Sequence, residues 1–377
     1  MDFSYNEEQL MLQESVGKFI AQDYDWDSRK EIVASEDGYK QAHWQLFAEL
    51  GWLTVPFKEE DGGFGGSAVD LIVVMEELGK GLVVEPFLVN TVLAGSVVAA
   101  LASDVQKQMI LAPMITGDLQ LALAYAETQS RYNLSSVQCT GTIADGHIVI
   151  NGHKAVVLNG NAAEKLLVTV RTAGDATSRS GISLVCVDAN TPGVRRESYA
   201  TVDGHRAADI WFDQVRVAES DILGEVGSAL DAIENAVDRA ALAVCAEAVG
   251  AMQISLQRTV EYSKVRKQFG TTLSTFQALQ HRMAAMFMEL EQSRSILLMA
   301  AIEMDRLDGN APRALSAAKS RIGKAARLVG QESIQIHGGI AVTDELDVGH
   351  YFKRLTAIQY LFGSTDHHTN RFASYQS

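Results

Sequence analysis

Three short segments carry side chains suited to gripping a phosphorylated nucleotide. They are Arg266-Lys267-Gln268-Phe269-Gly270, then Phe276-Gln277, and much later Gln335-Ile336-His337-Gly338-Gly339. Arg266 offers a forked, permanently charged donor that matches a pyrophosphate. Gln277 can hydrogen-bond a diphosphate or a ribose, and Gly338-Gly339 let a backbone approach a nucleotide closely. Taken singly, each segment also suits a surface turn or a plain loop; their joint occurrence in this order is what singles them out. A fourth segment, Ala124-Tyr125-Ala126-Glu127-Thr128, precedes a run of short strand patterns.

Other chemistry is poorly served. His367-His368 with nearby Asp366 lacks a third ligand at helical spacing, so no metal is expected. Asp61-Gly62-Gly63-Phe64-Gly65-Gly66 has neither a preceding strand nor a following Gly-Lys-Ser/Thr and reads as a loop, not a phosphate cradle. No nucleophile elbow supports Ser/His/Asp catalysis. Cys139, Cys186 and Cys245 have no CxxC spacing, which points to a reducing compartment. The acidic start MDFSYNEEQL lacks a signal-peptide pattern, and a cytoplasmic protein is expected. With 32 Lys+Arg against 47 Asp+Glu the formal charge is −15, which argues against nucleic-acid or anionic-membrane partners.

The elements that must position these residues follow from hydrophobic periodicity. Up to about Gly117 the pattern is helical: Leu12, Val16, Phe19 and Ile20 share a face, and Ser4 with Glu7 reads as a capping box. Pro86–Ser103 is apolar but interrupted by Asn90, Thr91 and Ser96, and is expected as a buried helix, not a membrane span. From about Leu119 to Ser220 the runs become strand-like. Asp145-Gly146 and Asn151-Gly152 bracket His147–Ile150 as hairpin turns, Leu166–Val170 and Ile182–Val187 have strand length, and Ala208–Val217 alternates around Trp211. After Gly224 the helical period returns. Leu279, Met283, Met286, Phe287 and Leu290 form one face, and Ala240–Ala251 and Ala314–Ala326 are Ala-rich stretches that permit close helix packing. The expected domains are helical 1–117, antiparallel β 118–222 and a helical bundle 223–377.

In order and spacing, over essentially the whole chain, these motifs resemble the acyl-CoA dehydrogenase family of flavoproteins. The resemblance implies an N-terminal helical domain, a middle β barrel and a C-terminal four-helix bundle, with subunits pairing through the bundle around FAD. It implies that Arg266, Phe269, Gln277, Gln335, Gly338 and Gly339 grip the ADP half of a neighbouring subunit's flavin. Tyr125, Glu127 and Thr128 match the strand that lies against the flavin ring, where a Thr hydroxyl and backbone amides bond to it. The implied reaction is concerted: a carboxylate takes the α-proton of an acyl-CoA thioester, the β-hydrogen leaves as hydride to the flavin, and preorganised donors polarise the thioester carbonyl. Electron-transfer flavoprotein is the implied electron acceptor.

The chain departs from the family pattern at its own flavin and substrate site. The usual base is the Glu of a Tyr-Glu-Gly-Thr segment, and the matching stretch is Leu361-Phe362-Gly363-Ser364. Some members place the base near the start of the first bundle helix, beside an Arg; there the ungapped equivalent is Ala240. Asp238 lies two residues away, on a different side of a regular helix. With Arg239 at the substrate, Asp238 is the expected base if the helix start differs. Glu247, on the face of Ala240 but farther along the axis, is a weaker candidate. Trp-Ile-Thr of the family is replaced by Val156-Val157-Leu158, and the glycine-serine stretch after the flavin-strand Thr by Gln129-Ser130-Arg131-Tyr132.

Motifs serving a neighbour's FAD thus match while those serving the chain's own flavin are degraded, which suggests a subunit of a mixed assembly. Val84-Glu85-Pro86-Phe87 after Glu76-Glu77-Leu78 is similar to the small-subunit type of heteromeric acyl-CoA dehydrogenases. Three readings stay open: a dehydrogenase acting alone or in a heteromer, a non-catalytic paralogue that completes a partner's FAD site, and a flavoprotein of the same fold with altered chemistry and an Asp base. The acyl pocket is expected around Leu82–Leu93 and Ala236–Val244, whose small Ala side chains leave room for a bulky group such as a steroid side chain.

Overall fold

The computed structural model describes residues 5–306 and 310–375. Ser4, expected as an N-cap, lies outside the described residues. The first helix α1 (Glu7–Asp23) is capped instead by Asn6, whose side chain accepts from the Gln9 amide while Gln9 reaches back to the Asn6 N–H. Helices α2 (Trp26–Ala34), α3 (Gln41–Glu49), α4 (Ala68–Gly81), α5 (Ser96–Leu101) and α6 (Asp104–Ile115) follow. Ser67 with Asp70 and Ser103 with Gln106 form capping boxes on α4 and α6. Pro86–Ser103 is helical as expected, but its first part, Phe87–Gly95, is a π-helical segment that leads into α5.

Eight strands come next: β1 (Leu121–Ala124), β2 (Thr140–Ala144), β3 (His147–Leu158), β4 (Lys165–Arg171), β5 (Ile182–Asp188), β6 (Val194–Ala200), β7 (Arg206–Ala218) and β8 (Ile222–Leu223). They form one sheet in the order β6-β7-β3-β2-β4-β5-β8, with β1 paired to β4. Most pairings are antiparallel, and β1 and β2 meet β4 in parallel. Asp145 (φ 52°) and Gly146 (φ 72°) make the expected two-residue turn between β2 and β3. Both residues are left-handed, as such hairpins require. Asn151-Gly152 is not a turn. The strand runs through it, and the register against β7 shifts between Ile150 and Gly152 in a β-bulge. The Asn151 side chain accepts from the Gln214 N–H on β7, so the bulge is pinned by a partner far away in sequence.

The long helix α7 (Leu230–Val265), a small hairpin of β9 (Lys267–Gln268) and β10 (Thr271–Thr272), and helices α8 (Gln277–Asp305), α9 (Ala311–His337), α10 (Val348–Ile358) and α11 (Thr365–Ser374) complete the fold. Among the described residues α7 is the one helix long and apolar enough to cross a membrane, and most of its apolar stretch is buried in the protein's own interior.

The chain forms two compact units. One, the helical unit, comprises Met1–Lys30, Ser67–Val83 and Ala241–Ser377; the other, the sheet unit, comprises Glu31–Gly66 and Val84–Ala240. Within the helical unit α4 and α7 cross backbone to backbone. A Cβ added at Gly79 would lie 2.2 Å from the Glu247 carbonyl oxygen, and one at Gly250 would lie 1.9 Å from that of Glu76. No larger residue fits at either position. On α8, Met286 and Leu290 are buried as the periodicity predicts, but Phe287 on the same expected face is 55% exposed, beside an equally exposed Met288. Periodicity identifies an apolar face without saying what covers it. Within the sheet unit the core is built by Leu166, Val168 and Val170 of β4, Ile182 and Leu184 of β5, and Ile148 and Ile150 of β3.

Candidate functional site

In the helical unit, α7 ends where Arg266 begins the candidate nucleotide motif. The Arg266 N–H donates to the Tyr262 carbonyl (2.9 Å), and the Arg266 carbonyl accepts from Leu273 N–H (2.9 Å), closing the small hairpin. Gln268 pairs with Thr271 across a turn made by Phe269 (φ 55°) and Gly270 (φ 84°). That turn leaves the Phe269 ring 92% exposed, edge-on to Phe276 with 6.2 Å between centroids. Gln277 is the first residue of α8, and Gln335 lies in the last turn of α9. Arg266, Gln277 and Gln335 are all exposed, and among the described residues none of these three side chains makes a hydrogen bond or ion pair.

Gly338 terminates α9 with φ 71° and ψ -149°. Only glycine occupies that backbone region freely. Nothing lies within 4 Å of a Cβ built at Gly338 or Gly339. The chain's own packing therefore leaves the space in front of this backbone open. The two motifs are tied together by Tyr262 and His337, whose rings stack with centroids 4.4 Å apart at 27°. These two residues were not singled out from the sequence; Tyr262 precedes Arg266 by one helical turn and His337 precedes the glycine pair, and that adjacency is the signal that could have found them.

In the sheet unit the expected flavin-strand residues are held differently. Tyr125 follows β1 and is half-buried, and burial pushes its hydroxyl up to about 12. Thr128 is exposed. Glu127 is buried and its carboxylate is saturated from within: it accepts from Lys154 Nζ (2.6 Å), Gln129 Nε2 (2.7 Å) and the backbone N–H groups of Gln138 (2.8 Å) and Cys139 (3.1 Å). Burial alone would raise the Glu127 carboxyl, but the Lys154 ammonium and these hydrogen bonds hold it below the usual carboxylate range. Lys154 is fully buried and also donates to Thr169 Oγ1 (2.8 Å). Sequence reading missed Lys154, although it shares the inward parity of Ile148 and Ile150 on β3 and so must find an internal partner. Val156 is the residue expected at the flavin-packing Trp position. It is 53% exposed with φ 53°, and its N–H donates to Asp209 Oδ1 (2.9 Å). A left-handed backbone is unusual for a β-branched residue.

The candidate bases fall into distinct settings. In the sheet unit Ala240 is fully buried, whereas Asp238 and Arg239 are half-buried, and Arg239 Nη2 donates to the Pro56 carbonyl (3.1 Å). In the helical unit Glu247 is buried and gives both oxygens to Arg354, accepting from Nε (2.5 Å) and Nη2 (2.7 Å). A carboxylate held in such a bidentate pair is structural and is not an available proton acceptor. Phe362 is buried in a left-handed conformation (φ 56°). The corner it occupies is clamped by Lys319, whose Nζ donates to the Ile358 (2.8 Å) and Gly363 (3.0 Å) carbonyls, and by His368, whose Nε2–H donates to the Phe362 carbonyl (2.9 Å). Burial pulls Lys319 down to about 8 and His368 down to about 3. Among the described residues no group of three or more His, Cys, Asp or Glu could hold a metal.

Comparison with known proteins gives this arrangement its context. Family models for the N-terminal, middle and C-terminal domains of acyl-CoA dehydrogenase match residues 6–118, 122–215 and 229–375. The probable acyl-CoA dehydrogenase YngJ of Bacillus subtilis is 30% identical, with 92% of each chain covered. Acyl-CoA dehydrogenase IpdE2 of Mycobacterium tuberculosis is likewise 30% identical, over 92% of this chain and 91% of that one. Among solved structures, the Tcur3481-Tcur3483 steroid ACAD superposes with a TM-score of 0.85 at 27% identity, covering 98% of this chain and 97% of that chain. Three matched domains in the expected order, together with near full-length relatives, establish that this chain belongs to the acyl-CoA dehydrogenase family of FAD-dependent oxidoreductases.

Proposed function

We propose that this chain dehydrogenates an acyl-CoA thioester to the 2-enoyl-CoA as one subunit of an assembly with a second acyl-CoA dehydrogenase chain. In it, Arg266, Phe269, Gln277, Gln335, Gly338 and Gly339 hold the ADP half of a partner subunit's FAD. The observation that carries the reading is the bonding state of that set. A guanidinium and two carboxamides stand exposed and uncommitted beside a glycine backbone with open space before it. This donor chemistry fits a pyrophosphate and ribose: the fork of Arg266 matches phosphate oxygens, and the amides supply neutral donors and acceptors. We retain 1–117, 118–222 and 223–377 as the working division into domains.

Bound FAD would supply the hydride acceptor for the β-hydrogen. The chain's own residues do the rest. Tyr125 and Thr128 face the ring, on a segment braced by Glu127 and Lys154. Asp238 takes the α-proton, and Arg239 orients the thioester end of the substrate. The electron acceptor is an electron-transfer flavoprotein and the compartment is the cytoplasm, which the three free cysteines support. A relative named as a steroid dehydrogenase and the small side chains of Ala236, Ala240 and Ala241 favour a bulky acyl group.

A second reading has one specific observation in its favour. The corner that carries the base in most of the family here presents buried Phe362, which suits a non-catalytic subunit that completes a partner's site. Purification of the chain alone and with a co-expressed partner separates the two. A catalytic subunit yields a yellow complex that bleaches with acyl-CoA and loses bleaching in Asp238→Asn while keeping its flavin. Unchanged bleaching in Asp238→Asn removes Asp238 as the base, and a colourless protein in both preparations overturns the proposal.

A further inference from the structure

We propose that Tyr262 and His337 are positioning residues for the nucleotide, a strut that fixes the α7 terminus bearing Arg266 against the α9 terminus bearing Gln335 and Gly338-Gly339. The inference rests on the assignment of that set to an adenine dinucleotide.

The geometry is specific to this task. Both residues occupy the last turn of their helices. The Tyr262 carbonyl accepts the Arg266 N–H, so displacement of Tyr262 displaces the guanidinium's backbone directly. The Tyr262 hydroxyl donates to the His337 carbonyl (3.3 Å). That carbonyl is one of the terminal ones for which α9 has no internal partner. The His337 ring is fixed in turn, because its Nδ1–H donates to the Ser333 carbonyl one turn earlier (2.8 Å). The stacked rings therefore join two elements at the points where both nucleotide motifs leave regular structure. His337 is 6% exposed, and burial pulls its pKa below the ordinary histidine value. Among the described residues the exposed side chains of Arg266, Gln277 and Gln335 make no hydrogen bond or ion pair that could fix their spacing. A ligand that bridges both motifs needs that spacing set beforehand, since otherwise binding must supply the ordering.

The test compares shape-breaking with ring-preserving variants of the full-length protein in its partner complex, stripped of flavin and titrated with FAD by fluorescence quenching. Tyr262→Leu and His337→Leu are expected to bind FAD about five- to tenfold more weakly. Tyr262→Phe and His337→Phe keep a stacked ring while each loses one side-chain hydrogen bond, and are expected within about threefold of wild type. The thermal midpoint of each flavin-free variant is read alongside. Leu variants that melt earlier yet bind FAD with wild-type affinity overturn the proposal, as do Phe variants as weak as the Leu variants. If Tyr262→Leu fails to fold, His337→Leu, which leaves the α7 tyrosine in place, gives the same reading. Arg266→Ala serves as the control for the underlying assignment. Undiminished FAD binding in Arg266→Ala overturns the nucleotide reading itself, whereas weakened binding there with unaffected Leu variants overturns only the strut.

Discussion

The nucleotide set of the helical unit and the flavin-strand set of the sheet unit draw on similar residue types but hold them in opposite states. Among the described residues the exposed side chains of Arg266, Gln277 and Gln335 make no hydrogen bond or ion pair, while Glu127 and Lys154 are buried and bonded to each other, to the Gln129 and Thr169 side chains and to the Gln138 and Cys139 backbone. The difference lies in what each side chain has left to offer: an exposed, uncommitted donor gains most of its interaction energy from a ligand, whereas a saturated buried pair has already been matched by folding. Motif identity alone therefore does not distinguish a side chain with bonds left to offer from one already committed within the fold.

The comparison breaks most visibly at the buried pair. Glu127→Ala leaves the Lys154 ammonium desolvated and unpaired, and should cost about 3–5 kcal/mol in urea unfolding; a loss below about 1 kcal/mol would show that the carboxylate was not committed after all. His368 extends the contrast to a committed group inside the helical unit. The unfolded chain protonates this residue below the ordinary value of 6.5, and the folded protein only near 3. Its stabilisation is thus complete above the ordinary value and is lost as the pH falls toward the folded one, by no more than about 5 kcal/mol. His368→Gln should flatten that acid limb, and an unaltered pH profile would place the titration elsewhere. Arg266→Ala should behave in the reverse manner, with unfolding free energy changed by less than about 0.5 kcal/mol and FAD affinity weakened by about 1.5–3 kcal/mol, roughly ten- to a hundredfold. Thr128, the exposed member of the sheet set, sharpens the boundary. Thr128→Val should leave stability unchanged and weaken FAD by about 0.5–1.5 kcal/mol, whereas a Thr128→Val protein that unfolds early would group Thr128 with Glu127.

Local signals carried much of the architecture. The Asp145-Gly146 hairpin, the strands at Leu166–Val170 and Ile182–Val187, and the helical thirds on either side depend on turn chemistry and short-range periodicity, which a sequence displays directly. Asn151-Gly152 has the same turn chemistry but forms a bulge, because its partner strand β7 lies some sixty residues away and decides the outcome. The α8 face was legible as apolar, yet the exposure of Phe287 depends on covering surfaces that periodicity does not encode. At the candidate site the glycine pair and the Arg were visible as types. Lys154 as the partner of Glu127, Arg354 as the partner of Glu247, and the Tyr262–His337 stack were not, since each joins segments brought together only by tertiary packing.

The crossing at Gly79 and Gly250 bears on how the protein can be dissected. Because α4 meets α7 backbone to backbone at these two glycines, residues 67–83 belong to the same compact unit as residues 241–377 and help to support it. A fragment of the carboxy-terminal helices expressed by itself would leave the α7 backbone at Glu247 and Gly250 uncovered where α4 belongs, inviting self-association. Cofactor loading is therefore best assayed on the intact polypeptide, and a fragment's failure to retain FAD would say nothing about the residues that grip it.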